Sequence, residues 1–310
     1  MSHLRAGLSG CGHVTATQLL ALREQHDCAV VALHDDDPAA LDACGAATGI
    51  ALRTGSYDEL LATGVDFVVL AGAERLAERA ALAAEQSAHV LAYAEAADDE
   101  GALGAALSAC ERGEVRLGLV PPLLGDPALH DLRALLAGGA IGALTELHVQ
   151  APASPMALVS LAAWLTGRPA RAVHAASPDE DGARRTTLLL PGDAQVWLDT
   201  GPAAGTTVIA NGSDGWCVIR PTDLGMQTLR PWRGEVLSSP DATTERWSPR
   251  VAAQEAAARS RAEPHGAFAR WLEDRDVFPV PGEQLVEDLR TLAALRRSLA
   301  TGRAEDVPRS

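Results

Sequence analysis

The chain has 310 residues, a hydrophobic fraction of 47% and a charged fraction of 22%, which is typical of two globular units or one large α/β fold. Its 41 acidic residues outnumber its 26 basic ones and give a net charge of −15. Because that charge repels phosphate backbones and anionic lipid surfaces, we expect neither nucleic acid nor a membrane as a partner. All the basic residues are Arg, so lysine chemistry, including Schiff bases and Walker-type phosphate loops, is excluded.

The cysteines and histidines point to no metal site. Five scattered cysteines with no Cys-x-x-Cys pair indicate reduced core thiols rather than a disulfide framework or a zinc ribbon. The histidines show no metal-site spacing with one another, with carboxylates or with cysteines. The N-terminal apolar run is too short for an export signal, so we expect a cytoplasmic protein.

Short apolar runs alternate with Ala/Leu-rich amphipathic stretches over the first 120 residues, a pattern that predicts βαβ units and a parallel sheet. The predicted strands are Leu4–Ser9, Ala29–His34, Asp66–Ala71, His89–Tyr93 and Arg116–Val120. The predicted helices are Thr17–Gln25, Pro38–Ala47, Tyr57–Ala62, Glu74–Gln86 and Asp99–Glu111. We therefore predict a doubly wound Rossmann domain over residues 1–122 and a second, α/β domain over residues 123–310.

The second domain is predicted to consist mainly of strands. These are Leu144–Gln150, Arg171–Ala176, Arg184–Leu190, Gln195–Thr200, Thr206–Ala210 and Trp216–Arg220. Helices are predicted near Ala128–Leu136, Pro155–Leu165, Val251–Arg261, Ala267–Glu273 and Glu283–Leu299. Asn211-Gly212 is a typical hairpin turn, and the tail from Gly302 is expected to fray.

The clearest local motif is Gly10-Cys11-Gly12-His13-Val14-Thr15, which follows the first strand and opens the first helix. Such a turn brings the backbone close to a pyrophosphate at the positive end of a helix. Asp35 ends the second strand at the spacing expected for a ribose-binding carboxylate, and Asp35-Asp36-Asp37 would repel a 2′-phosphate. We therefore expect NAD rather than NADP. Since Thr15 replaces the third glycine, a structural turn without nucleotide is the alternative.

Further segments resemble one family almost from end to end, the Gfo/Idh/MocA oxidoreductases. The resemblance covers the glycine turn and, among others, Ser56-Tyr57-Asp58-Glu59-Leu60, Val65-Asp66-Phe67-Val68-Val69, Gly139-Ala140-Ile141-Gly142 and Trp164-Leu165-Thr166-Gly167. It implies an N-terminal Rossmann domain followed by an α/β domain with an open, mostly antiparallel sheet. It also implies NAD(P)-dependent chemistry, with cofactor-binding positions at Gly10, Gly12, His13, Val14, Asp35 and Gly72 and substrate-side positions at Ser160 and Trp164.

The sequence departs from this family where the chemistry is performed. Ala94 occupies the position of the lysine that the family places near the nicotinamide. Ala157 and Ser160 fall on or near the positions of the family's His and Asp. The loop after the third Rossmann strand and the link after Gln150 depart from the pattern as well. The usual proton relay is therefore absent.

Tyr93 and Glu95 follow the strand at His89 and are the candidates for a replacement acid or base. The alternatives are that Tyr93 packs between domains and that Glu95 is a solvated carboxylate at a helix start.

The sequence leaves two function hypotheses open. The first is an NAD(P)-dependent oxidoreductase with a non-standard site, acting on an imine or a carbonyl of a small metabolite. The second is a non-redox protein on the same scaffold, either a catalytically silent partner subunit or an enzyme for cyclisation or elimination. The apolar face of the second sheet predicts a homo-oligomer, or a hetero-oligomer with a catalytic homologue.

Overall fold

A computed structural model describes most of the chain: residues 4–13, 27–72, 75–93, 100–120, 124, 127–151, 153–176, 185–200, 206–222, 225–230, 245–247 and 264–308. The chain divides into two compact units. The first consists of Met1–Gly125 and Ala258–Val286, and the second of Asp126–Ala257 and Glu287–Ser310. The domain boundary after residue 122 stays a prediction. The compact units differ from the predicted domains in one respect, because Ala258–Val286 belongs to the first unit.

The first unit contains a parallel six-stranded sheet. Its strands are β1 (Leu4–Ser9), β2 (Cys28–His34), β3 (Arg53–Thr54), β4 (Phe67–Leu70), β5 (His89–Tyr93) and β6 (Leu117–Val120). Their order is β3-β2-β1-β4-β5-β6, and every neighbouring pair is parallel. This is the strand order of a doubly wound dinucleotide-binding fold, in which the direction of winding reverses between β1 and β4. The predicted Rossmann sheet is confirmed.

The second unit contains a nine-stranded sheet in the described residues. Its strands are β7 (Leu144–Gln150), β8 (Ala172–Ala175), β9 (Arg185–Leu189), β10 (Gln195–Asp199), β11 (Thr207–Gly212), β12 (Gly215–Thr222), β13 (Gly225–Arg230), β14 (Glu245–Trp247) and β15 (Glu305–Asp306). Their order is β14-β13-β12-β11-β7-β10-β9-β8-β15. The pair β7–β10 is parallel and the other pairs are antiparallel, so the predicted mostly antiparallel sheet is confirmed.

The helices lie close to their predicted positions. They are α1 (Pro38–Thr48), α2 (Tyr57–Ala62), α3 (Leu76–Glu85), α4 (Glu100–Arg112), α5 (Pro127–Ala137), α6 (Pro155–Thr166), α7 (264–272 among the described residues) and α8 (Gly282–Thr301). Side-chain caps explain two of the starts, because Asp37 accepts from the Ala39 N–H at 2.9 Å and Ser56 from the Glu59 N–H. The predicted helices Thr17–Gln25 and Val251–Arg261 lie outside the described residues.

The core of the first unit depends on the segment that returns to it late in the chain. Phe268 is fully buried, with ring centroids 5.4 Å from Phe67 and 5.3 Å from Phe278. Gly118 on β6 lies beneath these rings, and a β-carbon there would stand 2.7 Å from Phe278 and 2.9 Å from Phe268. The aromatic cluster therefore requires glycine at this strand position.

The prediction that Asn211-Gly212 forms the hairpin turn is wrong. Asn211 and Gly212 belong to β11, and the hairpin loop is Ser213–Asp214 instead. Gly212 serves close packing rather than turning, since a β-carbon there would lie 2.0 Å from the carbonyl oxygen of Ile141.

The C-terminal tail does not fray after Gly302. Glu305–Asp306 forms β15 against β8, and Val307 is buried. The backbone pairing and the burial of Val307 together hold this segment. No helix among the described residues is long and apolar enough to cross a membrane.

Candidate functional site

Three loops meet at the carboxyl ends of β1, β2 and β4. Gly10 has a φ of +97°, and a β-carbon on it would lie 2.9 Å from the backbone nitrogen of Gly72, the second residue after β4. The N–H of Gly10 donates to the carbonyl of His34 at the end of β2. Only glycine combines this conformation with this close approach. The turn predicted from the sequence is therefore built at the reversal point of the sheet, where doubly wound folds bind their ligands.

The carboxylate of Asp35 is bound to the glycine turn. The Gly12 N–H donates to Oδ2 of Asp35 at 3.0 Å, and the Asp37 N–H donates to Oδ1 at 2.8 Å. A carboxylate accepts about four hydrogen bonds, so both oxygens keep capacity for hydroxyl donors beyond these two bonds. Asp35 is half-buried and Gly12 is exposed, which places an oriented acceptor beside an accessible stretch of backbone.

The next acidic residue is neutralised by a buried arginine. Nη2 of Arg79 lies 2.6 Å from Oδ2 of Asp36, and the guanidinium carbon stands 5.8 Å from the centre of the Tyr57 ring. The Tyr57 hydroxyl donates to the carbonyl of Arg79 at 3.1 Å. Arg79 is 5% exposed, so its guanidinium is committed to Asp36 rather than presented to solvent.

A buried histidine underlies the loops. His34 is 1% exposed, and its Nδ1 lies 2.9 Å from the hydroxyl of Ser9. Burial lowers the pKa of His34 from its ordinary value of 6.5, and the positive charge of Arg79 lowers it further. The imidazole is thus kept neutral and acts as a polar, uncharged support.

The turn also brings two thiols together. Cys11 and Cys44 on α1 are buried, and the Cys11 thiol donates to the carbonyl of His34 at 3.5 Å. The neighbouring Cys44 and burial raise the pKa of Cys11, whereas Cys11 lowers that of Cys44. None of the five cysteines forms a disulfide, and all five are buried, as predicted for core thiols.

Tyr93 ends β5 and is 6% exposed. Its hydroxyl lies 2.9 Å from Nε2 of His265 on α7, and the two rings meet edge to face with centroids 5.8 Å apart. His265 is fully buried. Sequence reasoning missed His265, because 172 residues separate it from Tyr93 and no motif surrounds it.

The other predicted residues of the first unit can be placed only in part. The backbone of His13 ends a short 3₁₀ turn, Cys11–His13, whereas Val14 and Glu95 lie outside the described residues. Their assignment to the cofactor and to catalysis stays a prediction.

The two substrate-side positions lie on α6 in the second unit. Ser160 is fully buried, with its hydroxyl 2.5 Å from Oδ2 of Asp288 on α8. Trp164 is 2% exposed, with its ring centroid 4.9 Å from His130 and 5.1 Å from the guanidinium carbon of Arg133. Within the described residues both side chains are packed inside their own unit, and contact with substrate stays a prediction.

Among the described residues, no group of three or more His, Cys, Asp or Glu side chains is arranged to hold a metal ion.

Known proteins resemble this chain in structure but not closely in sequence. No protein-family model and no curated protein matches it. An oxidoreductase from Agrobacterium radiobacter, solved with NAD+, L-tartaric acid and magnesium, matches with a TM-score of 0.80 at 18% identity over 99% of both chains. The WlbA dehydrogenase from Bordetella pertussis, solved with NADH and UDP-GlcNAcA, matches with a TM-score of 0.77 at 20% identity over 99% of both chains.

A third structure, an NAD-binding oxidoreductase from Klebsiella pneumoniae, matches with a TM-score of 0.80 at 18% identity over all of both chains. At these identities the likeness shows the fold. The fold that the sequence resemblance implies is confirmed: this chain shares the architecture of these three solved structures over at least 99% of its length.

Proposed function

We propose that this protein is an NAD-dependent oxidoreductase that acts on a small molecule. The observation that carries the proposal is the glycine turn, in which Gly10 fits against Gly72 only without a side chain and Gly12 is bonded to Asp35. A backbone that approaches this closely at the reversal point of the sheet fits a pyrophosphate, and a carboxylate with spare acceptor capacity fits ribose hydroxyls. The NAD+ and NADH bound to two structural neighbours agree with this assignment.

The charges at the end of β2 favour NAD over NADP. Asp35 and Asp36 would face the 2′ position of the adenosine ribose, where NADP carries a phosphate. Among the described residues Arg79 and Arg75 are the nearby cations, and each is already ion-paired, Arg79 with Asp36 and Arg75 with Glu78. Both ion pairs oppose the use of these arginines as ligands of a 2′-phosphate.

When bound, NAD supplies or accepts the hydride, so the residues of this chain must orient the ligands and handle a proton. Tyr93 is our candidate for the proton group, because a phenol at the carboxyl end of β5 lies in the half of the sheet that receives the nicotinamide. An imine or a carbonyl is the substrate class that we propose. Glu95, and Ser160 and Trp164 on the substrate side, remain further candidates.

A non-redox function is the second candidate, and one observation favours it. Ala94 and Ala157 replace residues of the family's proton relay, and Ser160, near the remaining relay position, is hydrogen-bonded to Asp288 inside its own unit. A protein for cyclisation, elimination or subunit pairing would show this loss and would keep any bound nucleotide in one redox state.

Isothermal titration calorimetry with NADH and NADPH tests the nucleotide assignment. We expect the wild type to bind NADH more tightly than NADPH. Asp35→Asn should lower the affinity for NADH at least about tenfold, the equivalent of one charged hydrogen bond. It should also reduce the ratio of the affinity for NADH to that for NADPH. Asp42→Asn is the matched control, since Asp42 is an exposed carboxylate on α1. Failure of NADH and NADPH, and of their oxidised forms NAD+ and NADP+ titrated in the same way, to bind at millimolar concentration would overturn the proposal.

A homo-oligomer and a cytoplasmic location complete the proposal. The buried cysteines without disulfides support a reducing compartment. Trp197 on β10, a large hydrophobic side chain that is 37% exposed, supports an assembly through the second sheet.

A further inference from the structure

We infer that Tyr93 and His265 act as one proton-transfer pair beside the nicotinamide, with His265 supplying the proton that Tyr93 delivers to the substrate. This inference rests on the proposed function. It assigns a task to a histidine that no sequence motif marks.

The first support is the contact itself. The Tyr93 hydroxyl and Nε2 of His265 are 2.9 Å apart, a hydrogen-bond distance, and the rings are nearly perpendicular at 88°. Tyr93 keeps 6% of its surface exposed, whereas His265 has none. Tyr93 is therefore the member of the pair that keeps a small exposed surface, and we assign to it the contact with the ligand.

The second support is the contrast with the only other tyrosine of the chain. The hydroxyl of Tyr57 is satisfied by a backbone carbonyl, that of Arg79, which cannot give up a proton. A buried phenol needs just one such partner. Tyr93 has an imidazole instead, and an imidazole exchanges protons near neutral pH.

The third support is position. The two halves of a doubly wound sheet each bind one mononucleotide of a dinucleotide. Asp35 and the glycine turn lie in the half formed by β1, β2 and β3, so the nicotinamide falls to β4, β5 and β6. Tyr93 ends β5 and pairs in register with Val120 of β6, which places the phenol in that second half.

The proton steps balance without a lysine. Because burial disfavours a charged imidazole, the proton is taken up by His265 only for the reaction. Its Nε2–H then donates to the Tyr93 oxygen while the phenol proton is directed to the substrate. Reduction of a carbonyl or imine then moves the phenol proton to the substrate oxygen or nitrogen, and the Nε2 proton to the Tyr93 oxygen. His265 ends neutral, Tyr93 is restored, and reduced nicotinamide is the hydride donor.

Other ionisable groups belong to the elements around the pair. Cys11 follows β1, and Arg270 lies one turn beyond His265 on α7, where it is ion-paired with Asp27 at 2.8 Å. Glu74, after β4, and Glu95, after β5, lie outside the described residues. The test must therefore isolate the pair through its own variants.

Proton exchange on nucleotide binding provides that test and needs no substrate. Calorimetry in buffers of different ionisation enthalpy gives the number of protons released by NAD+ and by NADH. Because oxidised nicotinamide is positively charged, it opposes a protonated His265, so NAD+ should release more protons than NADH when the titrations are repeated across the neutral pH range. His265→Asn should abolish the difference, Tyr93→Phe should reduce it, and Tyr57→Phe should leave it unchanged.

The outcomes separate the two proposals. If neither nucleotide binds the folded wild type, the proposed function fails. If both bind and the difference is zero, or survives intact in His265→Asn and Tyr93→Phe, the proton pair is wrong while the nucleotide site stands. Tyr93→Phe removes one oxygen and keeps the ring, so it gives an answer even where His265→Asn does not fold.

Discussion

Gly10 and Gly72 approach each other so closely that a β-carbon on Gly10 would lie 2.9 Å from the backbone nitrogen of Gly72. Because Gly10 follows β1 and Gly72 follows β4, this approach brings together the two loops at the reversal point of the sheet. The geometry of the candidate nucleotide site is thus set by two backbones in direct proximity.

Replacement of Gly10 by Ala should destabilise the protein more than an ordinary loss of a left-handed glycine. Gly49 is the matched control, since it has a φ of +74° with no atom within 4 Å of an added β-carbon. We expect Gly49→Ala to cost about 1–2 kcal/mol and Gly10→Ala about 1–3 kcal/mol more from overpacking. Urea unfolding measures both, and equal costs would contradict the role of the Gly72 contact.

Ser160→Ala should destabilise the second unit and leave nucleotide affinity unchanged. The substitution removes a hydroxyl 2.5 Å from the buried carboxylate of Asp288, and such a loss costs about 1–3 kcal/mol. Denaturant unfolding gives the cost, and a cycle with Asp288→Asn gives the coupling between the two residues. A neutral Ser160→Ala, or an additive cycle, would show that this bond does not hold α6 to α8.

His89 should make the protein less stable in mild acid. Burial lowers the pKa of His89 below its ordinary value of 6.5, and the positive charge of Arg116 lowers it further. The Nδ1 atom of His89 accepts a hydrogen bond from the Arg116 N–H at 2.8 Å. In the window from pH 6.5 down to the lowered pKa, the unfolded chain binds the extra proton, so stability falls as pH falls.

His89→Gln should flatten that dependence in unfolding curves recorded from pH 7.5 to 5. The exposed His174 on β8 provides the control substitution, His174→Gln. An unchanged slope in His89→Gln would mean that other groups set the acid sensitivity.

Trp197→Glu should weaken self-association. The Trp197 side chain is 37% exposed beside His148 of the neighbouring strand, and a carboxylate there would have to be desolvated in an interface. Light scattering should show an assembly for the wild type and smaller particles for the variant. Val277→Glu, at an 81% exposed position of the first unit, is the control. A wild type that stays monomeric across micromolar concentrations would contradict the predicted assembly.

Local patterns explain what the sequence could predict. Apolar runs located β1 and β7 to the residue, because a strand is a local pattern. The sequence also placed Asp35 at the end of β2, but its hydrogen bond to Gly12 was found only in the structure. The prediction of a turn at Asn211-Gly212 was wrong because a strand also uses glycine where another backbone packs closely against it. Only the position of the Ile141 carbonyl shows that Gly212 is such a case.

His265 marks the limit of such reasoning. Its partner Tyr93 lies 172 residues earlier, and although the sequence marks Tyr93 as a candidate, no motif marks His265. Ser160 illustrates the same limit in the second unit, since its hydrogen bond to Asp288 spans 128 residues. Contacts of this length depend on how the helices pack, which periodicity does not encode.

The return of Ala258–Val286 to the first unit sets an order of events during synthesis. A ribosome that has made the first 125 residues has produced every strand of the parallel sheet but neither Phe268 nor Phe278, which cover Gly118. The apolar surface of the sheet that Phe268 and Phe278 cover therefore stays exposed until more than four-fifths of the chain has been synthesised. A fragment that stops near residue 125 should, for the same reason, aggregate rather than fold.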